Sequence, residues 1–283
     1  MFQSWRLGRL FNIETSIHWS FWLLIVWVLL SASSDGGLAK GLAASGFLIA
    51  VFLCVYLHEL GHAFAAKHYG IRTVDITMLP IGGLARLERL PEKAWQELWI
   101  ALAGPAVNVV IAFALGTGLF LRGELAQLRG MDVFRQTFLE QLVVVNLGLA
   151  IFNMFPALPM DGGRVLRSLL QFRMPRLRAT EIASRVSRYL AFFLIVIGLY
   201  KWSFNLCLIG VFVLISGIQE LMAVRIQAWR EAGGVNAGPM PGNGRVWFQS
   251  NFEFDSSNST TSRNPSANRD ENILDADDIR RIE

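Results

Sequence analysis

The chain is short of charge, histidine and cysteine, and each shortage excludes something. Only 17% of its 283 residues are Asp, Glu, Lys or Arg while 53% are hydrophobic, which excludes an ordinary water-soluble domain. The two cysteines, Cys54 and Cys207, lie in separate apolar runs without metal-ligand spacing. They read as packing residues, and a disulfide framework is excluded. No small-residue cleavage site follows the first apolar stretch, so that stretch reads as retained and not as a cleaved leader. With four histidines in the chain, where they fall becomes the main question.

What is present is apolar length. Six segments approach the span of a bilayer core: roughly 17–33, 42–66, 98–121, 138–155, 189–200 and 203–224. Trp19, Trp22, Trp95, Trp99 and Trp202 stand near segment ends, where interfacial aromatics belong. The pattern predicts an all-α polytopic membrane protein of about six transmembrane helices. Basic residues orient it. With the amino terminus inside, 21 of the 26 Lys and Arg fall on the cytoplasmic side, leaving Lys40, Arg122, Arg129, Arg135 and Lys201 outside. Both termini are therefore expected in the cytoplasm, with the chain in the cell (inner) membrane. Arg164, Arg167, Arg173, Arg176 and Arg178 read as this positive-inside signal and not as a nucleic-acid patch. His18 reads as an interfacial anchor, and Glu220 as marking the cytoplasmic end of the last segment.

Two stretches are not transmembrane in character. Val74, Ile76 and Met78 alternate with polar residues, and Pro80 with Gly82-Gly83 supplies turn chemistry, so a short β element is expected after the second segment. From 233 to 283 the composition turns to Gly, Asn, Ser, Pro and charge. That stretch is expected to be a disordered tail behind a membrane domain spanning 1–232.

His58-Glu59-Leu60-Gly61-His62 lies inside the second apolar segment. On a helix, positions i and i+4 share a face, so both imidazoles can reach one metal ion and Glu59 can activate a water beside it. Three ionisable groups in a bilayer-length run are costly and mark function. Two histidines leave a zinc site short of a third protein ligand. The best candidate is Asp161, in Asn153-Met-Phe-Pro156-Ala-Leu-Pro159-Met-Asp161-Gly162-Gly163 at the cytoplasmic end of the fourth segment. Its two prolines break the helix, and Gly162 lets the chain turn sharply behind the carboxylate.

These motifs resemble the site-2 protease family of intramembrane metalloproteases. The second segment matches its H-E-x-x-H, Asn153 to Gly162 matches N-x-x-P-x-x-P-x-D-G, and Gly104 to Asn108 matches G-x-x-x-N. The resemblance covers about Phe11 to Ile226. It implies one zinc per chain held by His58, His62 and Asp161, with Glu59 as general base and acid. It also implies Asn108 and Asn153 as polar helpers, and the β element as a strand that holds an unwound substrate. The substrate would be a transmembrane protein such as an anti-sigma factor, a transcription-factor precursor or a remnant signal peptide. Two family features are not expected: Met131 to Phe138 leaves no room for a PDZ domain, and no CBS pair follows the last segment. The competing class is a non-catalytic membrane zinc-binding protein or a transporter, which also places His and Asp at depth on broken helices.

Overall fold

In a computed structural model, residues 4–123 and 137–231 are described. The polar stretch from 233 and most of the loop before Phe138 lie outside them. The element order is β1 (Ser4–Leu10), β2 (Ile13–His18), α1 (Trp19–His68), β3 (Thr73–Leu79), β4 (Gly82–Leu87), α2 (Ala94–Leu121), α3 (Phe138–Asn153), α4 (Asp161–Gln171), α5 (Arg176–Tyr200) and α6 (Phe204–Glu231). Among the described residues four helices, α1, α2, α5 and α6, are long and apolar enough to cross a membrane. The apolar α3 is shorter, at 16 residues.

The first two apolar segments form one continuous element, α1, broken at Gly36 and Gly37. Gly37 has φ 77°, a conformation that costs glycine little and other residues much. The break is a reversal. Phe21 and Phe52 stack edge to face with centroids 4.7 Å apart, whereas a straight helix would separate them by roughly 46 Å. α1 is thus a helical hairpin whose second arm carries His58 and His62. α3 starts with a reciprocal cap: Thr137 N donates to Glu140 Oε2 at 2.7 Å while the Thr137 hydroxyl accepts from Glu140 N. α5 packs small buried residues closely against α6: Gly198 meets Cys207, and Ser187 and Ala191 lie beside Gly217 and Gly210. Close backbone approach of this kind is how helices associate where lipid offers no hydrophobic drive.

The sheet is larger than the sequence reading allowed. Its order is β1-β2-β3-β4, with β2 and β3 parallel and the outer pairs antiparallel. The expected strand after the second segment is β3, whereas β1 and β2 lie almost wholly before the first expected segment, where no element is predicted. Their turn is a two-residue loop, with Leu10 paired to Ile13 and positive φ at Phe11 and Asn12, the geometry a twisted hairpin prefers. His18 is the amino-terminal cap of α1, its Nδ1 accepting from Ser20 N at 3.3 Å; it ends a strand as well as a membrane segment. Ile13, Ile76, Met78 and Ala85 pack the sheet onto Leu60 and Ala63, beside the two histidines.

β3 therefore has both edges hydrogen-bonded, to β2 and to β4. Ile76 and Met78 are buried in the sheet–helix core. The expectation that Val74, Ile76 and Met78 receive an added strand is corrected on this ground, because strand addition needs an open edge.

α4 has reversed polarity. Asp161, Arg164, Arg167 and Ser168 are buried, while Leu169 and Phe172 lie on the exposed side. A water-bathed amphipathic helix does the opposite. Arg164 and Arg167, expected as part of the positive-inside signal, are each 1% exposed. Glu220, read as a boundary residue, is also buried.

Candidate metal centre

The second arm of α1 brings His58 and His62 one turn apart, with ring centroids 4.7 Å apart and planes at 83°. Each ring is oriented through its Nδ1. His58 Nδ1 donates to Asn108 Oδ1 at 3.1 Å, and His62 Nδ1 donates to the Ile100 carbonyl at 2.6 Å. Both partners sit on α2. With Nδ1 protonated, each Nε2 is left as a lone-pair donor facing inward.

Asp161 closes the cluster from the first residue of α4. Its Oδ2 lies 3.2 Å from both Nε2 atoms, and those two nitrogens are 3.1 Å apart. Oδ2 is buried and has no hydrogen-bond partner. Three buried electron-pair donors thus form a triangle with edges of 3.1–3.2 Å. Ligands at ~2.0–2.1 Å from a tetrahedral zinc stand about 3.3 Å apart. The donor set fits zinc in atom type, tautomer and spacing, and among the described residues these three are positioned to bind a metal.

The backbone makes room for this cluster at Gly104. A Cβ there would collide with the His62 ring and come within 2.7 Å of His58 Nε2. The following Pro105 lies inside α2. Gly162 is equally constrained, since a Cβ would run into the Met154 and Phe155 carbonyls; this lets the Pro156–Met160 loop fold back onto the start of α4. Leu158 N donates to Ser187 Oγ on α5 at 2.7 Å, which holds that loop in place.

Glu59, 2% exposed, stands beside the triangle with Oε2 buried and without a hydrogen-bond partner. The β3–β4 turn covers it so closely that a Cβ on Gly83 would lie 2.5 Å from Glu59 Cγ. His58, Glu59, Asn108, Asn153 and Asp161 all line one cavity of about 190 Å³. Its remaining wall is apolar, with Val55, Leu149, Phe152 and Phe212. Asn108 orients a ring and Asn153 faces the open cavity. The geometry therefore separates two residues that the sequence grouped together.

The sequence model of Peptidase family M50 matches residues 46–136 and 124–196. A solved structure, the site-2 protease from Methanocaldococcus jannaschii, superposes with a TM-score of 0.57 at 33% identity, covering 77% of this chain and 95% of that one. The chain belongs to peptidase family M50. Among relatives, zinc metalloprotease MJ0392 of Methanocaldococcus jannaschii is 32% identical over 222 residues, covering 78% of this chain and 62% of that protein. Stage IV sporulation protein FB of Bacillus subtilis is 28% identical over 141 residues, covering 50% of this chain and 46% of that protein. The chain thus spans less than two thirds of the length of these relatives. With its long apolar helices, this M50 member is a multi-pass membrane protein.

A second group of buried polar residues escaped the sequence reading. Arg167 pairs with Glu97 of α2 and with Glu220 of α6, all three buried. Gln171 donates to Glu97 Oε2 at 2.9 Å, and Arg176 Nη2 lies 3.7 Å from the same oxygen. Burial disfavours the Arg167 charge, but the two carboxylates override it and raise its pKa above the ordinary value. A signal existed: Glu97 and Glu220 adjoin apolar segments, where a carboxylate calls for a partner.

Proposed function

We propose that this chain is an intramembrane zinc metalloprotease that hydrolyses peptide bonds within or near transmembrane segments of membrane proteins. The observation that carries this reading is the buried triangle of His58 Nε2, His62 Nε2 and Asp161 Oδ2, with Glu59 in the same cavity. His58, His62 and Asp161 would hold one zinc ion. Zinc bound there supplies Lewis acidity, which makes water nucleophilic near neutral pH and polarises a carbonyl.

The remaining chemistry belongs to side chains of this chain. Glu59 takes a proton from the attacking water and returns it to the departing amine. Asn153 offers a hydrogen bond toward the oxyanion from the cavity wall. The apolar wall of Val55, Leu149, Phe152 and Phe212 limits bulk water and accepts a lipid-soluble segment. An unwound substrate strand adds to the outer edge of β4, which among the described residues pairs with β3 alone and begins beside Glu59.

Counting the two arms of α1 separately, together with α2, α3, α5 and α6, gives six crossings. Both termini are placed in the cytoplasm by the basic-residue bias. Residues 1–232 form the proteolytic unit in this reading, and 233–283 are not needed for cleavage. Transport is the weaker reading, because the metal-binding groups meet at one depth instead of along a path.

The test uses zinc-loaded protein in detergent with a fluorogenic transmembrane peptide. Wild type should cleave it, and Glu59→Gln should hold equal zinc but cleave at least ~10²-fold more slowly. Undiminished cleavage by Glu59→Gln would remove the general base and this mechanism with it. A photo-crosslinking residue at Ile81, exposed on the β3–β4 turn, should capture the peptide better than one at Val74.

A further inference from the structure

α4 is anchored at both ends of its buried face, and only one end is the metal centre. Asp161 is its first residue and Arg167 follows roughly 1.7 turns later, about 120° round the axis but still on the buried surface. Arg167 is 1% exposed and forks between Glu97 and Glu220. Its Nε also donates to Glu97 Oε1 at 2.7 Å. Glu97 lies one turn before Ile100, whose carbonyl accepts from His62 Nδ1. α2 thus carries the groups that aim both imidazoles and also the carboxylate that grips the helix bearing Asp161.

We infer that Arg167 is a positioning residue for the metal centre, setting Asp161 against the His58–His62 pair by clamping α4 to Glu97 and Glu220. A lysine could keep the charge but not the fork, since a guanidinium satisfies two carboxylates through fixed, divergent N–H groups and an ammonium does not. The location supports this role. α4 presents Leu169 and Phe172 outward, so apolar contact on that side adds no directional restraint. On the other side Leu158 N bonds Ser187 and fixes the loop entering α4, but nothing in that bond sets the rotation of the helix about its axis. Arg167 does, because turning α4 enough to swing Asp161 away would pull the guanidinium off both carboxylates.

This inference rests on Asp161 being a zinc ligand, and a double-mutant cycle separates the two claims. Zinc affinity of the full chain in detergent is measured by competition with a chromogenic chelator, for wild type, Arg167→Lys, Asp161→Ala and the double variant. Cobalt(II) spectra report the ligand geometry of each. Arg167→Lys should weaken zinc binding about 10-fold and reduce the intensity of the cobalt bands, in line with outer ligand-orienting groups. In the Asp161→Ala background the same change should have no further effect, because its route to the metal is already cut. Multiplicative losses in the double variant would overturn the inference and make Arg167 a general fold-holder. Unchanged affinity in Asp161→Ala would instead defeat the ligand assignment itself. Glu220→Gln, which keeps shape and hydrogen bonding, enters the same cycle if Arg167→Lys does not fold, with the same expectation and the same overturning result.

Discussion

Two buried polar clusters share this apolar molecule, and they differ in what they leave unpaired. Around Arg167 the charges are of both signs and hydrogen-bond to one another: guanidinium, two carboxylates and an amide. Around Asp161 every inward-facing atom is an electron-pair donor, two imidazole nitrogens and a carboxylate oxygen. The first cluster pairs opposite charges within the protein. The second is complete only with a cation, because three buried donors at 3.1–3.2 Å from one another repel unless a positive centre lies among them. Burial and polarity alone do not separate a structural cluster from a chemical one. The balance of donors and acceptors does.

The largest effect should come from breaking the acceptor cluster. His62→Ala removes a ligand and should lower zinc content from about one per chain to a small fraction, measured by elemental analysis after gel filtration. Membrane insertion should be unaffected. A His62→Ala protein that retains full zinc would erase the contrast between the clusters.

Next in size is the charge-balanced cluster, where single and joint replacements should part company. Arg167→Met strands two buried carboxylates and should cost about 3–5 kcal/mol of stability, read by thermal unfolding in detergent. Replacing all three together, Glu97→Gln, Arg167→Met and Glu220→Gln, should cost less, since neither carboxylate is then left charged without Arg167. A triple variant as unstable as Arg167→Met would show that this cluster is not self-contained.

Gly104→Ala sharpens the comparison by steric means. In a helix interior alanine is favoured over glycine by about 1 kcal/mol. Here the added methyl would strike the His62 ring, so zinc affinity should fall by at least ~10-fold. The same substitution at Gly116, on the same helix but with open space around its Cβ, should leave zinc affinity unchanged. The smallest effect is expected from ending the chain after Ala232, which should change peptide cleavage less than twofold.

The histidine pair was legible because it is local, whereas Asp161, some hundred residues further on, was joined to it through the family resemblance. His58 and His62 share a helix face through their spacing, and the prolines before Asp161 announce a broken backbone beside a carboxylate. What was missed is non-local or was masked by a stronger cue. Arg6 and Arg9 drew β1 into the positive-inside count, and the apolar run from Ile17 took in the last two residues of β2. The Asn12 turn signal was present but unweighed. Glu97, Arg167 and Glu220 are separated by 70 and 53 residues, so no periodicity pairs them. Their burial follows from how α2, α4 and α6 pack. That Val74, Ile76 and Met78 lie on an inner strand was hidden for a related reason: an edge is a property of neighbours, and the neighbouring β2 lies some sixty residues upstream.

The most direct test of the central claim is X-ray absorption at the zinc edge on wild type and Asp161→Ala. Two imidazole nitrogens with oxygen completing the set, and no sulfur, are expected in the wild-type spectrum. Asp161→Ala should keep the imidazole scattering at reduced zinc occupancy and lose the carboxylate contribution. Sulfur scattering, which would point to Cys54 one turn before His58, or a spectrum and occupancy unchanged by Asp161→Ala, would contradict the three-ligand centre.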